Sequence, residues 1–210
     1  MTNEEKDTKR KIIDAANELF AREGFAGASV RDIAKLADVN LASINYHFKN
    51  KEGLYWEVFE HNHKWVDDNI QALGKNCANT EELARCVFRF FIANEYAMMN
   101  TFKIFLSAMN PPDNILNAED DEHFGPPGQN VFFEMIEKDT KKEIAIESKK
   151  WATKMIFSLL LHFGVILNTE FMKKKCKTAK EMSPKEVEKS LIHSVRAHLN
   201  YLKTNELGQS

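Results

Sequence analysis

The chain has 210 residues, 43% of them hydrophobic and 29% charged, enough for one substantial core or for a small domain joined to a larger one. Its net charge is -2, so no overall basic field indicates nucleic acid or membrane, and any DNA-binding surface must be local. Three cysteines without metal-type spacing are typical of a reducing compartment. Because the N-terminus has no apolar signal sequence and the most apolar stretch, residues 155–167, is too short to span a bilayer, we expect a cytoplasmic protein with no membrane partner.

The chain is predicted to be almost entirely α-helical, since Ala, Leu, Glu and Lys are abundant and no run alternates as a strand would. The first helix is predicted over residues 8–23, with Gly24 placed to end it. A short second helix starts at Ser29, whose spacing to Asp32 is typical of a capping box. After a tight turn, Asn40 is a suitable N-cap for a third short helix.

The third helix has an apolar stripe formed by Leu41, Ile44 and Phe48, which we expect to face inward. Asn50 is placed to cap a fourth helix over residues 51–73. Further helices are predicted over residues 81–109, 129–137 and 141–174, and Ser183 and Pro184 open a last helix as its N-cap and first residue.

A loop or a broken short helix is predicted between residues 110 and 130. This stretch holds four of the five prolines and the acidic run 119–122. His123 beside that run could indicate a metal, but no His, Cys or carboxylate spacing supports one, so a solvated acidic loop is the better interpretation and no metal is predicted.

The second and third helices and their short turn match the helix-turn-helix arrangement, in which the second helix of the pair enters the DNA major groove. Asn45 is predicted to contact a base, because its amide can pair with adenine through two hydrogen bonds. Ala42 offers a methyl group to thymine or lets the helix approach closely. Ser43, Tyr46 and His47 are suited to phosphate oxygens, which fix the register without carrying sequence information.

Three residues at neighbouring helix starts extend this predicted surface. Lys51 combines a positive charge with free backbone amides, which suits a phosphate. Ser29 and Arg31 are placed similarly, and Arg31 is long enough to reach a base edge. Each predicted contact also has a plainer interpretation as an ordinary surface side chain, a solvated charge or, for Asn45, a contact to phosphate or water.

The segment from residue 39 to residue 54, VNLASINYHFKNKEGL, resembles the DNA-binding segment of the tetracycline-repressor-like (TetR) regulators. The matching positions are Val39, Ser43, Ile44, Tyr46, His47, Phe48, Asn50, Lys51, Glu52 and Leu54. The preceding ANELFAREGFAGASVRDIA is similar to the first two helices of that family, so the resemblance covers about residues 9–55. The chain departs from the family pattern at Asn45, where Tyr is commoner, and at Leu41 and Ala42, where small or polar residues often stand, so the resemblance does not define an operator sequence.

The near-neutral charge of the N-terminal residues is a second departure from the family pattern. Residues 1–64 hold ten Lys and Arg against eleven Asp and Glu. Because phosphate contacts set the affinity and its dependence on salt, this near-neutral balance predicts modest non-specific DNA binding.

The resemblance implies an all-α protein in two parts: a three-helix helix-turn-helix domain over residues 1–50 and a larger helical ligand-binding and dimerisation domain over residues 51–210. The residues themselves also favour a homodimer, because the helix around residues 151–171 has an apolar stripe too broad for one neighbour. The last helix has a seam of its own, at Val187, Leu191, Val195, Leu199 and Leu202. Two such helices from each subunit would form a two-fold interface, although the alternative is that both stripes fill the core of one subunit.

A ligand site is indicated only by an aromatic and Met-rich stretch, since Met suits adaptable apolar pockets. The candidate ligand contacts there are Met98, Met99, Phe102 and Phe105. His162 could orient a polar group of the ligand. The competing interpretation is that the stripe is packed core and that His162 is a core histidine bonded to a backbone carbonyl.

The predicted function is that of a dimeric repressor, which binds an inverted-repeat operator in double-stranded DNA and is released by an apolar or amphipathic small-molecule effector. An activator, a ligand-independent regulator, and a helical small-molecule carrier with a vestigial helix-turn-helix are the alternatives. No catalytic arrangement of Ser, His, Cys or paired carboxylates and no Gly-rich phosphate loop is present, so we predict neither an enzyme nor a cofactor.

Overall fold

The computed structural model describes residues 3–107, 125–141 and 143–204. These residues form helices joined by short connections, with no strand among them. The predicted all-α class is therefore confirmed. The predicted acidic run at 119–122 and His123 lie outside the described residues.

The helices follow one another closely along the chain. The first six are α1 (Asn3–Gly27), α2 (Val30–Leu36), α3 (Leu41–Phe48), α4 (Lys51–Gly74), α5 (Thr80–Ala93) and α6 (Glu95–Leu106). They are followed by α7 (Gln129–Thr140), α8 (Ile146–Ile166), α9 (Glu170–Lys175), a short 3₁₀ helix (Lys180–Met182) and α10 (Pro184–Thr204).

Two helices predicted to be continuous are interrupted. The helix predicted over residues 81–109 breaks at Asn94, which has φ -105° and ψ 42° and whose side-chain amide donates to the Phe90 carbonyl at 2.9 Å. The helix predicted over residues 141–174 starts only at Ile146 and ends before Thr169, whose hydroxyl accepts from the backbone N–H of Met172 and caps α9. In both places a short polar side chain bonds the backbone and competes with helix continuation.

The chain divides into two compact units. The first contains the residues up to Trp65 and, of those described, residues 96–107; the second contains Val66–Glu95 and the described residues from Gly125 onward. The first unit thus holds more of the chain than residues 1–50, because the first part of α4 and nearly all of α6 belong to it.

The core of the first unit is apolar and rich in aromatic rings. Its fully buried side chains include Ile12, Ala16, Phe20, Ile33, Ile44, Leu54, Tyr55, Val58 and Ile104. The Tyr55 ring packs edge-on against Phe20 and Phe25, with centroids 5.0 and 5.2 Å away. Its hydroxyl donates to the Ile104 carbonyl at 2.6 Å, and burial raises the pKa of Tyr55 to about 12. This hydrogen bond ties α6 to α4 within the first unit.

The second unit is built on the contact between α5 and α8. A Cβ at Gly164 would lie 2.7 Å from the Phe91 Cβ, so the two helices approach more closely than a side chain at this position allows. The seam of α10 is buried at all five predicted positions, Val187, Leu191, Val195, Leu199 and Leu202. The seam therefore fills the core of one subunit, and the prediction that it faces a partner is wrong.

Ion pairs join α10 to α5 at the edge of this core. The Glu188 carboxylate, 14% exposed, accepts from Arg85 and from Arg89, each at 2.7 Å. The hydrogen bonds from Arg89 and Arg85 hold the pKa of Glu188 below its usual value. A second pair joins Arg196 to Glu81 at 2.6 Å. Across the described part of the chain, none of the helices has the length and apolarity needed to cross a membrane.

Candidate nucleic-acid interface

The pair α2 and α3 is built by local side-chain chemistry. The Ser29 hydroxyl accepts from the Asp32 backbone N–H at 3.1 Å and caps α2, while the Asn40 side chain accepts from the Ala42 N–H at 2.9 Å and caps α3. Between them Asp38 has a positive φ of 53°. Its N–H and that of Val39 donate to the Lys35 and Ala34 carbonyls, which is the Schellman pattern. The predicted caps and turn are confirmed.

The orientation of α3 follows from its buried anchors. Ile44 is 1% exposed and Phe48 4% exposed, as predicted, but Leu41 is 37% exposed and does not face inward. The reason is that a helical side chain leans toward the N-terminus of its helix, and Leu41 is the first residue of α3. Its side chain therefore points past the core.

The opposite face of α3 carries the predicted DNA contacts. Ala42, Asn45 and Tyr46 are exposed and lie at helical spacing on one face, and Tyr46 is 75% exposed. Ser43 and His47 are half-buried at the edges of this face. The His47 ring packs edge-on against Tyr46, with centroids 5.1 Å apart, and this contact limits its freedom.

The three predicted contacts outside α3 lie in the same unit. Arg31 is exposed, while Ser29 and Lys51 are half-buried. The Ser29 hydroxyl also bonds the Asp32 carboxylate, so its capping role uses both its donor and an acceptor lone pair. Lys51 lies over the Phe25 ring, with its ammonium 4.6 Å from the centroid. Their contacts to phosphate stay predictions.

The positive charges of the first unit differ in how they are compensated. Arg22 pairs with Glu18 and Glu23, and Lys9 pairs with Glu57 at 2.8 Å. Within the described residues, Arg31 and Lys49 have no carboxylate at ion-pair distance. The sequence reasoning missed Lys49, although its place directly after α3 and two residues before Lys51 was a usable signal. Of these two, Lys49 directly follows α3, where an anionic partner of that helix would need a positive charge.

The predicted ligand contacts are divided between the two units. Met98 is buried, Met99 and Phe102 are half-buried, and Phe105 is 56% exposed and stacked on Phe59; all four belong to the first unit. His162 belongs to the second unit, is exposed, and lies edge-on against Phe163. Their role in ligand binding stays a prediction. Among the described residues, no group of three or more His, Cys, Asp or Glu could hold a metal ion.

A second surface is the exposed face of α8 and α10. On α8, Trp151 and Met155 are 59% and 49% exposed, and on α10 Tyr201 is 45% exposed. Together with Ile156, Leu159, Ser194, Val195, Ala197 and His198, Met155 and Tyr201 line a groove of about 400 Å³. The His198 Nε2 is buried without a hydrogen-bond partner, and burial lowers the pKa of this histidine. The predicted broad stripe of α8 thus divides into a buried half and an exposed half.

Comparison with known proteins places the matches on the same segment. Residues 12–58 match the sequence profile of the family described as bacterial regulatory proteins, tetR family. A probable HTH-type transcriptional regulator, YttP of Bacillus subtilis, is 40% identical over 84 residues, which are 39% of this chain and 41% of YttP. That match therefore spans less than half the length of this relative.

Longer matches extend beyond the first unit. The biofilm operon icaADBC HTH-type negative transcriptional regulator IcaR of Staphylococcus epidermidis is 24% identical over 151 residues, covering 72% of this chain and 80% of IcaR. Among solved structures, a putative TetR-family transcriptional regulator from Mesorhizobium loti has a TM-score of 0.64 at 23% identity, covering 95% of this chain and 98% of that one. The fatty acid degradation regulator FadR from Bacillus halodurans has a TM-score of 0.63 at 22% identity, covering 87% and 97%. These two solved structures are similar to this chain in fold.

Proposed function

This chain belongs to the tetR family of bacterial regulatory proteins through its N-terminal domain, and from that premise we propose that it is a dimeric transcriptional repressor that binds an inverted-repeat operator. The observation that carries the proposal is the exposed face of α3, presented by a helix that is capped at its start and anchored by buried Ile44 and Phe48. That face lies within the matched segment. A helix of this kind can enter the major groove without distorting the core behind it.

The proposed contacts divide into two kinds. Asn45 pairs with a base edge, since it is exposed at the centre of the face and its amide offers both a donor and an acceptor. Ala42 is small enough to allow close approach. The phosphate contacts come from the residues around this centre, Ser29, Ser43, Tyr46, His47 and Lys51. Arg31 reaches a phosphate or a neighbouring base.

The dimer uses the exposed face of α8 and α10. Trp151, Met155 and Tyr201 give this face large apolar area, and Ser194 and Ala197 between them are small enough to let a second copy approach. A two-fold dimer brings the same face of each subunit together. Two recognition helices then meet the DNA in successive major grooves, and for this reason we expect the operator to be an inverted repeat.

We further propose that the chain represses transcription and that an effector releases it from the operator. Several relatives are named as negative regulators of a biofilm operon, which favours repression over activation. An apolar or amphipathic effector would release the DNA by binding one arrangement of the dimer better than the other, because a ligand shifts an equilibrium only through unequal affinity.

A mobility-shift experiment tests the proposal. The probe is the DNA upstream of the chain's own gene, and the control is a shuffled duplex of equal length and composition. We expect a discrete complex with the upstream probe at low salt. An excess of the shuffled duplex should displace the upstream probe only poorly. Equal binding to both duplexes, or binding to neither, would contradict the proposal. A chain that binds an apolar ligand but no DNA would favour the carrier function.

A further inference from the structure

The junction between α3 and α4 has an unusual backbone. Lys49 has φ 63° and ψ -53°, and the Asn50 N–H donates to the Phe48 carbonyl at 2.7 Å, two residues back. These dihedral angles with this hydrogen bond define the classic γ-turn, which is rare and strained. A residue with a Cβ pays for a positive φ outside the left-handed helical region. Backbone strain therefore lies directly after the helix proposed to enter the DNA groove.

Gly53 lies against this turn from the side of α4. A Cβ at Gly53 would be 2.4 Å from the Phe48 carbonyl oxygen and 3.2 Å from the Asn50 Oδ1. The first contact is with backbone, so no side-chain rotation relieves it. The Gly53 N–H also donates to the Asn50 Oδ1 at 2.7 Å, which caps α4. The first turn of α4 thus lies against the last carbonyl of α3 because residue 53 has no side chain.

The Phe48 carbonyl belongs to a residue that anchors α3 in the core. Phe48 is 4% exposed, and its ring is part of the core of the first unit. The next residue, Lys49, donates its N–H to the Asn45 carbonyl at 3.1 Å. A displacement of the Phe48 carbonyl therefore moves the turn of α3 that carries Asn45.

We propose that Lys49 and Gly53 are a positioning pair: the γ-turn at Lys49 directs the Phe48 carbonyl onto α4, and Gly53 leaves the space that fixes α3 in the orientation needed to select DNA sequence. The inference rests on the proposed function, because it assigns these residues to the orientation of the DNA-binding helix. Neither residue has to touch a base. An error of orientation affects base contacts more than phosphate contacts, because paired hydrogen bonds to a base edge need a defined geometry. Base contacts also carry the sequence information.

The first test is Gly53→Ala in the full chain. The probes are a duplex that the unmodified chain selects from a random library and an unselected duplex of the same length. We expect affinity for the selected duplex to fall about tenfold or more, and affinity for the unselected duplex to change by less than about twofold. Gly27→Ala is the matched control: the nearest atom to its added Cβ is the Glu23 Cβ at 3.2 Å, and we expect both affinities to be retained.

The second test separates positioning from stability. Lys49→Gly and Lys49→Ala remove the same charge, but only glycine adopts a positive φ without strain. In the Gly53→Ala background, we expect Lys49→Gly to raise the melting temperature by about 5 °C, because the Phe48 carbonyl becomes free to move, and Lys49→Ala to raise it far less. The tenfold loss for the selected duplex should persist in the stabilised double variant.

The outcomes are distinguishable. A double variant that regains both stability and selectivity would overturn the positioning role, as would a Gly53→Ala chain that binds like the unmodified one or loses both affinities in parallel. If Gly53→Ala alone does not fold, the double variant carries the same comparison. An unmodified chain that selects no duplex contradicts the proposed function itself and removes the positioning role with it.

Discussion

Asn45 carries the sequence-reading part of the proposed interface. Its amide is exposed on α3 between Ala42 and Tyr46 and can form paired hydrogen bonds with adenine. We predict that Asn45→Ala weakens binding to the operator by about 1–3 kcal/mol, while non-specific binding stays nearly constant. Fluorescence anisotropy with operator and random duplexes at one salt concentration measures both.

The control for this prediction is Tyr46→Phe, which removes a hydroxyl from the same exposed face. Because a phosphate contact carries no sequence information, we expect this variant to weaken both complexes by similar factors. If Asn45→Ala also weakens the operator complex and the random-duplex complex equally, the assigned base contact is wrong and Asn45 contacts the DNA backbone instead.

Asp38 allows a prediction about stability at the turn. Its φ of 53° is a conformation that glycine adopts without strain, and it occupies the position after α2 where glycine is commonest. We predict that Asp38→Gly raises the free energy of unfolding by about 0.5–1 kcal/mol, because the relief of left-handed strain exceeds the added freedom of glycine in the unfolded chain. Asp38→Ala removes the same charge but keeps the strain, so urea unfolding should rank it below both. An alanine variant as stable as the glycine variant would refute the strain argument.

Individual residue roles could be predicted from the sequence where the interaction involves residues close together in the chain. The caps at Ser29, Asn40 and Asn50 were predictable because each involves a side chain and a backbone amide two or three residues away. The exposure of Leu41 was not predictable from spacing alone, since it depends on where the core ends. The γ-turn at Lys49 could not be predicted from the sequence, because lysine is not a residue type that favours a positive φ.

At the scale of helices, the pairing of α5 with α10 depends on Glu188, which accepts from both Arg85 and Arg89 while only 14% exposed. We predict that Glu188→Gln lowers the free energy of unfolding by about 1–2 kcal/mol at neutral pH, since two charged hydrogen bonds are weakened. Glu186→Gln is the matched control on the same helix. Its exposed pair with Lys189 should contribute less than about 0.5 kcal/mol.

The pH dependence of this difference has a definite sign. Because the folded-state pKa of Glu188 is lowered from 4.5, its contribution is present above 4.5 and is lost as the pH falls through the lower folded value. The stability gap between the unmodified chain and Glu188→Gln should therefore close in acid. Urea unfolding across the acidic range measures it, and a gap that widens in acid would contradict the assigned ion pairs.

The helix boundaries that sequence analysis missed have a common cause. Apolar residues continue at helical spacing through Asn94 and through residues 167–169, so periodicity indicates a continuous helix in both places. The local bonds of Asn94 and Thr169 compete with that pattern, and at the second break the Asn168 amide also donates to the Phe91 carbonyl, which is far away in sequence. Such a bond has no local pattern to detect.

At the scale of the whole molecule, the proposed dimer makes the face of α8 and α10 the decisive surface. We predict that Ala197→Glu, which adds a charge to the groove, converts a dimer into a monomer in sedimentation experiments and lowers operator affinity by at least about tenfold. Lys185→Glu on the same helix adds negative charge outside the groove residues and should leave the dimer intact. A monomeric unmodified chain, or an Ala197→Glu dimer, would contradict this assignment.

The two-part layout could be predicted from the resemblance, but the division of the apolar stripes could not. The α10 seam is as regular as a dimer seam, yet it is buried in one subunit, while the exposed part of the α8 stripe includes Trp151 and Met155. Which half of a broad stripe stays exposed depends on the packing of α5 against α8, where Gly164 allows close approach. The candidate ligand residues were the least predictable, because core and pocket use the same apolar side chains.

Selection of DNA from a random duplex library by the full chain, followed by footprinting of the selected duplex, tests the central claim most directly. We predict an inverted repeat whose half-sites are separated by about one helical turn or a multiple of it, protected symmetrically and bound by two subunits or pairs of subunits. Enrichment of no sequence, or of an unpaired site without symmetry, would contradict the account of this chain as a dimeric operator-binding regulator.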